Sequence, residues 1–154
     1  MKTVQVLKVT FDICTRQSAV VHVMGLLNKK SQSYIVTPNP EMLLVAQRNK
    51  KLREILEDAA LRIPDGMGIL WASTFNIKRS KFALFRYCKA LTSLLKLAVN
   101  PSSSRKIFPE RVTGVDLMES IVKESRRSKT PLFLLGAGPG VAHKVKKIFE
   151  KKYQ

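Results

Sequence analysis

The sequence predicts an α/β protein, on three observations. Short apolar runs at 34–37, 61–63 and 132–135 alternate with segments whose apolar residues recur at helical spacing. Each run stops at polar or turn-forming residues: Thr-Pro-Asn-Pro at 37–40, Pro-Asp-Gly at 64–66, Gly-Ala-Gly-Pro-Gly at 136–140. The length, 154 residues, suits one domain with a real core. Strand and helix in alternation build a mainly parallel sheet with helices on both faces, so the expectation for 1–154 is a single three-layer α/β/α Rossmann-like domain. In such a sheet ligands bind at the carboxyl ends of the strands. Thr37, Asn39 and Asp65 are therefore the first place to look for chemistry.

Taken in order, residues 4–11 alternate as a strand or hairpin arm, which supplies an N-terminal hairpin or edge strand, and 12–15 offer turn and cap residues. Ala19, Val20, Val23, Met24 and Leu27 predict a first helix over 16–27, with Thr15 as N-cap. After the strand at 34–37, a residue before proline is pushed towards extended backbone, which suits Asn39 as a non-helical N-cap. Pro40 fits the first helical position, where its missing donor would be unpaired anyway. That helix runs through Met42, Leu43 and Ala46, is interrupted at 48–51, and is followed by a second stripe at Leu52, Ile55, Leu56 and Ala59. A strand at 61–63, the turn 64–66 and a helix over about 67–75 come next. Leu117, Met118, Ile121 and Val122 place a helix over 115–125; a buried strand at 132–135 and a lysine-rich helix over 141–152 complete the chain.

Charge narrows the partners. With 28 Lys and Arg against 11 Asp and Glu, the net charge of +17 and a pI near 10.3 favour nucleic acid, phospholipid headgroups or a phosphorylated substrate, and composition cannot choose among them. Cys14 and Cys88 stand far apart without a CxxC, so neither a disulfide framework nor a zinc site is indicated, and a reducing, cytosolic setting is expected. No signal-peptide run and no stretch of roughly 18 apolar residues is present, so any membrane contact is expected to be peripheral.

From Gly66 to Pro109 there is no acidic residue, while Lys78, Arg79, Lys81, Arg86, Lys89, Lys96, Arg105 and Lys106 all fall there. Residues 82–99 are helix-like and rich in Phe, Leu and Tyr, before a Pro-Ser-Ser-Ser break at 101–104. Such a segment is either an interfacial helix, with its apolar face at the acyl boundary, or a core-packed helix with a solvated basic face.

Taken singly, the motifs have structural readings as well as functional ones. The glycine turn at 136–140 has the strand, turn and helix order of a phosphate cradle, yet Val141 stands where the third glycine of a dinucleotide fingerprint would fall, and no Gly-Lys-Ser/Thr follows. It is a nucleotide site or a tight structural turn. Asp65 is a base, a cap or a turn residue; Asn39 is a cap, and Thr37 a strand end. Arg111 binds phosphate or sits in a surface ion pair, and Asp116 is a first-turn helix acid. His22 and His143 have no evident partner in the sequence.

Four motifs in order sharpen the reading: Thr37-Pro38-Asn39-Pro40-Glu41; Ile63-Pro64-Asp65-Gly66-Met67-Gly68 with Trp71 nearby; Glu110-Arg111-Val112-Thr113-Gly114-Val115-Asp116-Leu117; and Leu134-Leu135-Gly136-Ala137-Gly138-Pro139-Gly140-Val141-Ala142. Together they resemble the WecG/TagA/CpsF family of bacterial glycosyltransferases over most of residues 9–153. The resemblance implies inverting, metal-independent transfer of an acetamido sugar, typically N-acetylmannosamine, from a UDP-sugar to a polyprenyl-diphosphate-linked acetamido sugar. No cofactor is implied. By the same resemblance Asp65 is the general base, Thr37 and Asn39 line its pocket, Arg111 meets diphosphate charge, and Gly136, Ala137, Gly138 and Gly140 lie against the nucleotide sugar. The implied setting is the inner face of the cell membrane, in cell-envelope polysaccharide or teichoic acid synthesis.

Two departures from the family pattern shape further expectations. The basic insert at about 77–108 is longer than the pattern needs and is assigned to membrane contact through Lys81, Arg86, Lys89 and Lys96. The family's next strand-helix unit and its Gly-x-Pro-x-Gln-Glu motif have no counterpart after Tyr153, so a C-terminally shortened member is expected. An oligomer would help cover the sheet edge this leaves. The rival reading is a basic α/β module that binds anionic lipid or nucleic acid without turnover. Nucleic acid is disfavoured by the lack of a helix-turn-helix, RRM or KH pattern, and a nicotinamide oxidoreductase by the failed dinucleotide fingerprint.

Overall fold

The computed structural model describes residues 1–29, 31–74, 92 and 107–153. Lys81, Arg86, Lys89 and Lys96 lie outside the described residues, with nearly all of the basic stretch.

The chain opens with a hairpin, β1 (Lys2–Val6) antiparallel to β2 (Val9–Ile13), in register from Lys2 opposite Ile13 to Val6 opposite Val9. Its two-residue turn puts Leu7 and Lys8 at φ 47° and 62°, as the right-handed twist of the strands requires. Asp12 lies inside β2 and is buried, rather than in a turn. Helix α1 (Arg16–Leu27) starts at a capping box in which Thr15 and Ser18 satisfy each other's backbone donors.

Strand β3 (Ile35–Val36) pairs in parallel with β4 (Leu61–Arg62). Bonds from Ala60 to Tyr34, Ile63 to Val36 and Asp65 to Pro38, at 2.9, 3.0 and 2.9 Å, carry the ladder past both ends. Between them run α2 (Pro40–Arg48) and α3 (Lys50–Glu57), joined by Asn49 alone, which ends one helix and caps the other. Helices α4 (Met67–Thr74), α5 (Gly114–Ser128) and α6 (Val141–Lys152) follow.

Two apolar clusters hold these elements. Val6, Val9 and Phe11 of the hairpin pack with Leu43, Leu56, Ile69, Leu70 and Phe108, with Val36 against them. Ala19, Val23, Leu61, Ile63, Val112 and Leu117 form the other, with Ile35 against it. Alternation along β3 thus sends adjacent side chains into different clusters.

The architecture is mixed α/β. Among the described residues the strands form two separate pairs, and the parallel component is β3 with β4. The expected buried strand at 132–135 is absent: the segment has no ladder partner among the described residues, and Phe133 and Leu135 are 86% and 91% exposed. A four-residue apolar run becomes a strand only where a second backbone edge takes up its donors and acceptors. Here it serves instead as a connector between α5 and α6.

Candidate active site

Parallel pairing sets the tips of β3 and β4 side by side. The Asp65 N–H donates to the Pro38 carbonyl at 2.9 Å, so Asp65 stands next to the 37–39 segment. Asn39 caps α2, its Oδ1 accepting from the Met42 N–H at 2.8 Å, and Pro40 occupies the first helical position. Gly66 turns the chain at φ 100°, a conformation that only glycine adopts without strain.

Close backbone approach then brings two more helices to the same place. A Cβ on Gly68 would lie 3.1 Å from Pro40 Cγ, so the start of α4 rests on the start of α2. A Cβ on Gly114 would lie 3.1 Å from Thr37 Oγ1, so the start of α5 rests on the tip of β3. Three helix N-termini converge around Thr37, Asn39 and Asp65. Each carries a partial positive charge; Asn39 and Thr113 take the Met42 and Asp116 N–H groups, and the first-turn donors left over favour an anion. Asp65 is half-buried, and among the described residues its carboxylate has no hydrogen-bond partner. A carboxylate so placed is available to take a proton from a bound hydroxyl.

Arg111 is exposed, three residues before α5. Its charge reaches Asp116 in the first turn of that helix. The Thr113 hydroxyl donates to Asp116 Oδ2 at 2.7 Å and accepts from the Asp116 N–H at 3.1 Å. That hydroxyl bond holds the Asp116 carboxyl below its usual range, and the positive charges of Arg16 and Arg111 add to the effect. Glu110 accepts from the Arg16 N–H, which ties the 110–113 segment to the start of α1.

Gly136, Ala137, Gly138 and Gly140 are exposed, and a Cβ on any of the three glycines would meet nothing within 4 Å. Helix α6 is tied to α5, where Glu119 accepts from Lys152 and from the Tyr153 hydroxyl, the latter at 2.6 Å. The structure therefore brings Thr37, Asn39 and Asp65 together, places Arg111 just outside the start of α5, and leaves the 136–140 turn exposed. Among the described residues no group of three or more His, Cys, Asp or Glu is placed to hold a metal ion.

Beneath the tips lies a polar network that sequence reasoning missed. Asp12 Oδ2 accepts from the Arg62 N–H at 2.9 Å and from Arg62 Nε at 3.3 Å, while Arg62 Nη1 donates to the Glu57 carbonyl at 2.6 Å. The available signal was Asp12 within an otherwise alternating strand, opposite in charge to Arg62 in the middle of an apolar one.

The model of the glycosyl transferase WecG/TagA/CpsF family matches residues 4–108 and 102–154. An N-acetylglucosaminyldiphosphoundecaprenol N-acetyl-beta-D-mannosaminyltransferase of Bacillus spizizenii is 26% identical over 115 residues, which are 75% of this chain. The aligned part is 34% of that protein, so the chain spans about a third of the relative's length. Matched along nearly its whole length, the chain belongs to the WecG/TagA/CpsF family of glycosyl transferases.

Proposed function

We propose that this chain is an inverting, metal-independent glycosyltransferase that moves an N-acetylhexosamine, N-acetylmannosamine above all, from a UDP-sugar to a polyprenyl-diphosphate-linked N-acetylglucosamine. The observation that carries the reading is the placing of Asp65 among the N-termini of α2, α4 and α5. The relative's printed name supplies the acceptor and the transferred sugar.

In this reading the acceptor hydroxyl oxygen attacks the anomeric carbon and Asp65 takes the hydroxyl proton. The bond from that carbon to the UDP oxygen breaks on the opposite face, which inverts the centre. The leaving diphosphate keeps the electron pair, and its charge is met by the helix N–H groups and by Arg111. Thr37 and Asn39 line the pocket. Contact with an anionic membrane at the cytoplasmic face, cell-envelope polymer synthesis as the pathway, and Gly136–Gly140 as a nucleotide contact belong to the same proposal.

Transfer from UDP-N-acetylmannosamine to a short-chain lipid-diphosphate-N-acetylglucosamine tests it, with Asp65→Asn beside the wild type. General-base catalysis is worth ~10²- to 10⁴-fold, so the variant should lose turnover by that factor while retaining UDP. Equal turnover in the two proteins would remove Asp65 from the chemistry. No turnover and no UDP binding by the wild type would overturn the transferase reading and leave a basic binding module.

A further inference from the structure

We propose that the groove between α1 and α5 is the acceptor subsite: Arg16 at its mouth takes the diphosphate of an isoprenoid-diphosphate-linked sugar, and Val20, Val21 and Met24 take the first isoprene units. The inference rests on the transferase reading and adds the residues that tell a lipid-linked acceptor from a free sugar.

Position comes first. Gly114 brings the start of α5 onto Thr37. Two residues on, the Asp116 carboxyl is held low by the Thr113 hydroxyl and then by the charges of Arg16 and Arg111, so Arg16 stands near the same turn of α5. Glu110 accepts from the Arg16 N–H and pins the start of α1 there. In the acceptor a sugar ring separates the attacking hydroxyl from the diphosphate, so that diphosphate is met beside Asp65 and apart from the donor's. Arg16 suits this task. It is exposed, and among the described residues no carboxylate lies within ion-pair distance of its guanidinium. Of the two acids that line the groove, Glu124 is paired with Arg127 at 3.4 Å and Glu110 is engaged by backbone. A free guanidinium takes phosphate through forked, charge-assisted hydrogen bonds.

The second observation is the wall that leads away from this mouth. A groove of about 840 Å³ runs between the two helices, past Ser120 and Lys123 on α5 and past Val20, Val21 and Met24 on α1. This apolar stripe is the part of α1 that the core leaves uncovered: Ala19 and Val23 are buried, while Val21 and, beyond the groove, Leu27 are 67% and 53% exposed. From Thr15 to Met24 the wall is about 14 Å long, room for a short isoprenoid run. Free diphosphate would leave the stripe in water, and a neutral lipid would leave Arg16 unanswered. An isoprenoid diphosphate answers both, in the order in which the groove presents them.

Calorimetric titration with farnesyl diphosphate, inorganic diphosphate and UDP tests the assignment. The wild type should bind farnesyl diphosphate at least tenfold more tightly than inorganic diphosphate, through the apolar groups it buries. Arg16→Gln should weaken farnesyl diphosphate about tenfold at unchanged UDP affinity, and Arg16→Lys, which keeps the charge without the fork, should fall between. Val21→Ser/Met24→Ser should bring farnesyl diphosphate down to the affinity of inorganic diphosphate. Met24 is half-buried, so Val21→Ser alone, at an exposed position, is run beside it and should move the same way. In the transfer assay Arg16→Gln should raise the acceptor KM about tenfold at unchanged donor KM. Equal farnesyl diphosphate affinity in wild type and Arg16→Gln would overturn the proposal. So would a parallel loss of UDP, which would move Arg16 to the donor, or farnesyl diphosphate bound no more tightly than inorganic diphosphate. Binding is read without a sugar donor: absent transfer with these affinities intact would overturn the transferase reading and leave an isoprenoid diphosphate site. Transfer by Arg16→Gln at an unchanged acceptor KM would overturn the subsite alone.

Discussion

Arg62 and Asp12 are locked together through both backbone and side chain: a single carboxylate oxygen of Asp12 accepts from the Arg62 N–H and from its guanidinium. The two side chains are only 17% and 9% exposed. The pair ties the hairpin to β4, the strand that leads into Asp65.

Asp12→Ala should therefore cost stability. Removing one partner of a buried ion pair leaves the other charge uncompensated, at about 3–5 kcal/mol. Arg62 retains its bond to the Glu57 carbonyl, so the loss should fall near the lower end. Urea unfolding checks this, and Asp12→Asn, which retains an acceptor for the Arg62 N–H, should lose less.

Gly114→Ala separates stability from function. Its Cβ would press on Thr37 Oγ1 at 3.1 Å and Cγ2 at 3.4 Å. Overpacking costs ~1–3 kcal/mol, partly offset by the ~1 kcal/mol that alanine gains over glycine in a helix. The melting temperature should move little while UDP affinity falls, as read by thermal unfolding beside calorimetric titration.

Cys14 is buried, and burial first, then the charges of Asp12 and Glu110, push its thiol up from 9.0 to about 11. The folded state holds this proton more tightly than the unfolded state. Its contribution to stability is thus whole below pH 9 and is lost as pH rises from about 9 to about 11. In a Cys88→Ser background the thiol should resist alkylation at pH 8 and react at once in denaturant.

Asp116 offers a spectroscopic check. Thr113→Val removes the hydroxyl that lowers its pKa most, so the carboxyl should titrate higher in a carbon-detected NMR series. Arg111→Gln should move it the same way by less, because the Arg111 charge is the smaller cause. The favourable effect is present above the ordinary carboxylate pKa and disappears as pH falls through the lowered value.

Local grammar was readable in this chain, and long-range pairing was not. Thr15, Asn39 with Pro40, and the break at 48–51 announce themselves because a cap bonds within three residues of itself. The Leu7-Lys8 turn does not, since neither residue is one that favours positive φ. Asp12 reads as a turn residue until Arg62, 50 positions away, is found against it. At the site, the nearness of Thr37 and Asp65 follows from parallel pairing of two recognisable strand tips. The arrival of α5 does not, because it rests on Gly114 meeting Thr37 across 77 positions. At 132–135 hydrophobicity alone misleads, for it says nothing of whether a partner edge exists.

The single-residue joint at Asn49 makes α2 and α3 a ruler of fixed length. One end is set at the site by Asn39, and the other delivers Glu57, which takes the Thr10 N–H at 2.6 Å and, through its carbonyl, Arg62. One extra residue after Asn49 would swing α3 by about 100°, carrying Leu56 out of the core and Glu57 off both contacts. Drift in chain length at this point is thus closed to the protein: substitutions can accumulate along the two helices, but insertions and deletions between them cannot.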